Sequence, residues 1–187
     1  MAADFRAIAD TVRDRPTRLR ELVPTAPVYV GACDACQHGM GGVWFPTTGT
    51  SPAPPIMWRH PFPETVRNAL ITADRPDGSF SISDLELAAL VAHKDVLVHH
   101  DAVAKKTIWT ATDNRAALSW SDKGSSTSHS ARAYLLRLNS LHQRRYRYVS
   151  MHNDIAGKTN VMADDASRLW GMSDSELLSH FHPLGKC

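Results

Sequence analysis

The sequence predicts an α/β domain: a mixed five-stranded sheet, an antiparallel meander followed by parallel strands, with helices on both faces. Three observations carry this. Short apolar segments separated by turn residues between positions 28 and 60 read as three consecutive strands. A capped amphipathic helix follows from Ser83. Strand and helix patterns then alternate to the end, giving the order β-β-β-α-β-α-α-β-α.

Residues 5–23 carry a helical stripe of Phe5, Ile8, Ala9 and Val12, interrupted at Pro16 and continued by Leu19, Leu22 and Val23. Pro24 and Pro27 end it, so residues 1–26 read as a helical connector ahead of a domain spanning 27–170. Val28–Ala35 is the first strand, Gly39, Gly41 and Gly42 mark a turn into the second, and Ile56–His60 is the third. Prolines and Gly78 punctuate 61–80, with a short helix at 64–71. Ser83 as N-cap with Glu86 three residues on has the capping-box pattern, and Leu85, Ala88, Ala89, Ala92 and Val96 form the buried stripe behind it. "KTIWTATD" (106–113) is a strand, "NRAALSW" turns helical, and 129–143 is a helix. "RRYRYVSM" (144–151) reads as the fifth strand and 160–170 as the last core helix. A short helix at 173–181 and a tail complete the segment 171–187.

The 187 residues are 43% hydrophobic and 21% charged with a net charge of +2, enough for one domain with a real core. That balance excludes a strongly basic tail, so any nucleic-acid binding needs a local patch. No apolar run reaches bilayer-spanning length, and the charged N-terminus lacks a signal-peptide core. Three cysteines suggest reduced thiols rather than a disulfide framework. The expected setting is intracellular, cytoplasmic or nuclear, with no membrane partner.

Four carboxylates stand apart from surface charge. Asp34 lies in the first strand, Glu86 at the start of the capped helix, Asp113 at the end of "TIWTATD", and Asp164 early in the last core helix. Strand ends and helix starts converge on one rim of such a sheet. Carboxylates gathered there repel unless a cation sits among them, and oxygen ligands suit Mg²⁺ or Mn²⁺. Two such ions, about 4 Å apart, activate water and stabilise the leaving oxygen of a phosphodiester. Each residue also has a simpler reading. Glu86 as the box partner of Ser83, Asp113 as the N-cap of the next helix, and Asp164 as a helix-dipole complement all remain open. Asp34, flanked by "YVGAC" and "AC", has no such local role. Cys33 and Cys36 form a C-x-x-C, but no second pair stands at zinc spacing and a Gly-rich turn follows, so both read as small core residues.

Four segments together resemble the ribonuclease H domain of retroelement reverse transcriptases: "CDACQHGMGGVW", "SISDLELAAL", "TATDNRAAL" and "HNDIAGKTNVMADDASRL", the last similar to a G-x-x-N-x-x-A-D-x-x-S-R pattern of retrotransposon members. The resemblance covers roughly Pro27 to Leu169 and implies a ribonuclease H-like fold. It implies that Asp34 bridges two Mg²⁺ ions, with Mn²⁺ as a possible substitute, that Glu86 and Asp113 complete the ligands on one side, and that Asp164 completes them on the other. His152 stands where some members carry a mobile histidine for proton transfer or product release; a structural loop histidine is the other reading. Asn114 and the loop after Cys36 match positions that touch RNA 2′-hydroxyls. On a strand, Arg145 and Arg147 share one face suited to phosphates, and Lys105, Lys106, Lys123 and the Ser-rich loop 124–130 line the hybrid groove; a charged, soluble edge strand is the alternative. "HFH" (180–182) carries little weight as a metal motif. The implied activity is cleavage of the RNA strand of an RNA/DNA hybrid, beside the polymerase portion of a reverse transcriptase. The alternative is a catalytically silent nucleic-acid-binding domain or a remnant of a retroelement polyprotein.

Overall fold

A computed structural model describes residues 23–47, 54–125 and 131–181, together with Arg6, Ala9, Asp10 and Arg13. Most of the expected connector, part of the Ser-rich loop, His182 and the tail beyond it lie outside the described residues. Strands β1 (Pro27–Ala35), β2 (Gly39–Pro46) and β3 (Ile56–Pro61) form the antiparallel meander. Helices α1 (Glu64–Asn68) and α2 (Ile82–His100) follow, then β4 (Thr107–Thr112), α3 (Arg115–Lys123), α4 (Ala131–Tyr146), β5 (Val149–Asp154), α5 (Val161–Arg168) and α6 (Asp174–Phe181). The sheet order is β3-β2-β1-β4-β5, with β4 and β5 parallel to β1. This is the mixed five-stranded sheet, an antiparallel meander followed by parallel strands, that the sequence predicts.

Alternation along the central strands sends side chains into two cores. On one face Cys33 and Ala35 pack with Leu85, Leu87, Ala89 and Leu90 of α2 and with Ala117 and Leu136 of α3 and α4. On the other, Val43 packs with Ala166 of α5 and Leu177 and Phe181 of α6. His93 of α2 fills the space over the small residues Gly31 and Gly42: its ring stacks on Trp44 at 3.8 Å and its Nδ1 accepts from Trp58 Nε1 at 2.8 Å. Burial, then the neighbouring Lys94, hold that imidazole well below its ordinary pKa, so it is neutral. Arg59 ties the C-terminal segment to β3. Its guanidinium donates to the carbonyls of Leu169 and Met172 and pairs with Asp174 at 2.8 Å.

Helix α5 lies close enough to β2 that Gly41 is required: a Cβ there would sit 2.7 Å from the backbone carbonyl carbon of Ala166. Gly41→Ala therefore pushes α5 off the sheet. The expected cost is about 1–3 kcal/mol, typical of forcing extra volume into a packed interior, read as a lower urea midpoint at unchanged slope.

Three expectations are corrected. The N-cap of α2 is Ser81, not Ser83: Ser81 Oγ accepts from the Asp84 N–H, and Asp84 Oδ2 accepts from the Ser81 N–H at 2.8 Å. Asp84 is fixed further by Arg132 at 2.8 Å, whose guanidinium lies over the Trp120 ring. "RRYR" is not strand. Helix α4 continues to Tyr146, and Arg147 then turns at φ 60°, its N–H closing onto the Gln143 carbonyl. Arg145 therefore lies on a helix beside the Tyr146 ring, and the shared strand face with Arg147 does not exist. His152 is in β5 rather than a loop.

Candidate metal centre

The parallel register Ala32↔Ala111 brings the ends of β1 and β4 level, so Asp34 and Asp113, each two residues further on, finish side by side. Glu86 projects from the first turns of α2, which packs on β1. One carboxylate oxygen from each of Asp34, Glu86 and Asp113 lies within 4.8 Å of the other two. Among the described residues this is the one cluster of acidic, histidine or cysteine ligands with metal-binding proximity. The cluster opens into a cleft of about 670 Å³ whose walls include Gln37, His38, Asn114 and Arg168.

The correction at Ser81 decides the role of Glu86. With Asp84 serving the capping box, Glu86 is released from it, and its side chain is 5% exposed. The Ala35 N–H donates to its carboxyl, yet Oε2 has no hydrogen-bond partner. Burial, then the Asp34 and Asp113 carboxylates, push Glu86 up to about 9. Burial likewise raises Asp34, against a lowering hydrogen bond from Ser167. Asp113 is similarly freed, because the cap of α3 is Asn114, whose Oδ1 accepts from the Ala117 N–H at 3.0 Å. Among the described residues neither Glu86 nor Asp113 forms an ion pair. A buried, orphaned carboxylate oxygen aimed at two further carboxylates suits a hard divalent cation and is costly without one.

Asp164 does not join the three. Its Oδ1 accepts a short hydrogen bond from Arg168 Nε, one turn along α5. The Arg168 guanidinium also comes within 3.9 Å of Asp34 Oδ2.

The segment "AGKTNVMADDASR" carries residues that sequence reasoning quoted without assigning work to them. Gly157 lets the backbone pass against Asp113: a Cβ there would lie 2.7 Å from Asp113 Oδ2. Asn160 is buried and its Nδ2 donates to the Cys33 carbonyl, holding α5 to β1. Ser167, fully buried, donates from Oγ to Asp34 Oδ2 at 2.6 Å. The spacing of Ser167 from Asp164, one helical turn, was the available signal. Ser167→Ala leaves the Asp34 carboxylate unheld. Loss of such a supporting hydrogen bond is expected to weaken Mn²⁺ affinity roughly 10–100-fold, measured by calorimetric titration of the protein without nucleic acid.

His152 stands elsewhere. Its Nε2 meets Lys94 Nζ at 2.9 Å and its Nδ1 donates to Asp122 Oδ1 at 2.6 Å, with Ser121 and Ser150 close by. Burial and Lys94 push it down to about 4, so it is a held, neutral imidazole bridging β5, α2 and α3. Asn114 lines the cleft and its Nδ2 donates to Ser83 Oγ. Lys123 is exposed at the end of α3. Cys33 and Cys36 are both buried; Cys36 Sγ donates to the Ser167 carbonyl at 3.0 Å, and burial raises the Cys33 thiol. Cys33 is therefore not an activated redox thiol.

No protein-family model matches the chain, and no curated protein matches it. Solved structures similar to it include the N-terminal ribonuclease H domain of a Mycobacterium tuberculosis protein, determined as a fusion with maltose-binding protein, at 12% identity, TM-score 0.49, covering 74% of this chain and 94% of that one. Ribonuclease H1 of the halophilic archaeon Halobacterium salinarum is similar at 12% identity, TM-score 0.48, over 74% of this chain and 92% of that one. A compost-metagenome ribonuclease H1, LC11, is similar at 12% identity, TM-score 0.46, over 74% and 91%. No helix among the described residues is long and apolar enough to cross a membrane.

Proposed function

We propose that the chain is a divalent-metal-dependent endonuclease that cleaves the RNA strand of an RNA/DNA hybrid, serving retroelement reverse transcription through a domain spanning 27–170. The observation that carries this reading is the Asp34, Glu86 and Asp113 cluster, with oxygens within 4.8 Å of one another and Glu86 Oε2 buried without a partner. These three would hold Mg²⁺, or Mn²⁺ in its place, and Asp34 with Asp164 would take a second ion. When bound, such cations offset the acidic cluster and supply Lewis acidity for phosphodiester hydrolysis.

The chain's own residues do the rest. Asp34 is oriented by Ser167, and Asp113 lies close against the Gly157 backbone. Asn114 and the Gln37–His38 turn line the cleft where a ribose 2′-hydroxyl would distinguish RNA from DNA. Lys123 offers a phosphate contact beside the groove. The polymerase portion of a reverse transcriptase is the expected protein partner.

The test is a labelled RNA/DNA hybrid, run beside duplex DNA and duplex RNA in Mg²⁺ and in Mn²⁺. The expected result is endonucleolytic products from the RNA strand of the hybrid alone. Hybrid binding in EDTA with no cleavage in either metal would instead identify a silent binding domain.

A further inference from the structure

Arg168 sits where the acidic centre is least complete. Its Nε donates to Asp164 Oδ1 and its terminal nitrogen lies 3.9 Å from Asp34 Oδ2, so one guanidinium spans the two carboxylates that a second cation would use. The placement is built in, because a residue four positions along a helix lands on the same face. The opposite side of the cluster is unlike this one: among the described residues Glu86 and Asp113 have no cationic partner, and Glu86 Oε2 has no hydrogen-bond partner. Ser167 meanwhile donates to Asp34 Oδ2 at 2.6 Å, the same oxygen that Arg168 approaches. Arg168 itself is 53% exposed at its side chain and lines the cleft, so solvent can reach the guanidinium.

We infer that Arg168 is an internal counter-ion that competes with the second cation, so that the centre fills in two unequal steps. The first ion enters at Asp34, Glu86 and Asp113 without displacing any protein group. The second needs Asp164, and Asp164 becomes available only when Arg168 leaves it. The inference rests on the metal-binding reading above and adds an order and a gate to it.

The test is Mn²⁺ titration of the full chain without nucleic acid, followed by calorimetry and by the free-Mn²⁺ paramagnetic resonance signal. Wild type is expected to bind one Mn²⁺ tightly and a second weakly. Arg168→Gln, which keeps the methylene stem and removes the charge, is expected to tighten the second step about tenfold, the scale of one partly exposed charge-assisted hydrogen bond, and to leave the first step within twofold. Arg168→Lys restores a cation and should return the second step toward the wild-type value. Equal affinities in wild type, or a second step unchanged in Arg168→Gln, would overturn the gate while leaving the metal centre standing. No Mn²⁺ binding by wild type would overturn both, and that outcome is separable because it appears before any variant is made.

Discussion

Asp34→Asn is expected to abolish hybrid cleavage and, in the same protein, to raise the melting temperature without metal. The two effects have one cause. Asp34 is the residue around which the acidic cluster is built, and on the proposed reading removing its charge would withdraw a ligand worth several kcal/mol of transition-state stabilisation, or about 10³-fold in rate. The amide keeps the shape, and its oxygen still accepts from Ser167. What disappears is the cost of burying that charge and its repulsion with Asp164 and Asp113, which together raise the Asp34 pKa in the folded protein. Relief of about 1 kcal/mol would lift the melting temperature roughly 2–4 °C in a chain of this size. Cleavage assays and thermal melts in EDTA check the pair. A variant as active as its parent, or one that melts lower, would count against the centre described here.

Glu86 makes the metal-free protein less stable as pH rises. Folded Glu86 holds its proton up to about 9, because burial and then Asp34 and Asp113 disfavour its charge. In the unfolded chain it ionises near its ordinary value of 4.5. Between those limits the folded state binds more protons, so stability is full below the lower value and is lost as pH climbs toward the upper one. Thermal melts in EDTA from acid to alkaline pH should therefore fall steadily, beyond whatever other groups contribute. In saturating Mn²⁺ the slope should flatten, since the cation replaces the proton and its uptake releases one near neutral pH. Glu86→Gln should remove the slope in EDTA. A flat profile in the parent would refute the assignment of the raised group.

Much of this was legible in the chain. The meander, the alternation that follows it and the strand position of Asp34 come from patterns whose period is unambiguous. The start of α2 was not, because "SISDLE" contains two overlapping capping boxes, Ser81 with Asp84 and Ser83 with Glu86. Local rules cannot choose between them. The choice is made across the fold, where Arg132 pairs with Asp84 and Glu86 is taken into the acidic cleft. The Arg–Tyr alternation of "RRYRY" imitates a strand, yet the chain stays helical to Tyr146. Packing there is set by His142, which contacts Tyr148, Tyr146 and Asp95. His152 was misplaced for the complementary reason: its partners Lys94, Ser121 and Asp122 lie far away in sequence, and nothing next to it announces them. The Gly157, Asn160 and Ser167 positions were visible as a motif, but what each one touches required the approach of α5 to β1.

The bond from Ser167 to Asp34 joins residues 133 positions apart, and the central strand carrying Asp34 must also find β4 from the far side of α2. Such distant pairings form late and slowly when a chain folds. A ribosome must therefore release the chain through α5 before Ser167 can hold Asp34, and a nascent or truncated chain ending before α5 would carry Asp34, Glu86 and Asp113 without that support. Any metal centre here would thus reach its full affinity only once the last helices have joined the sheet.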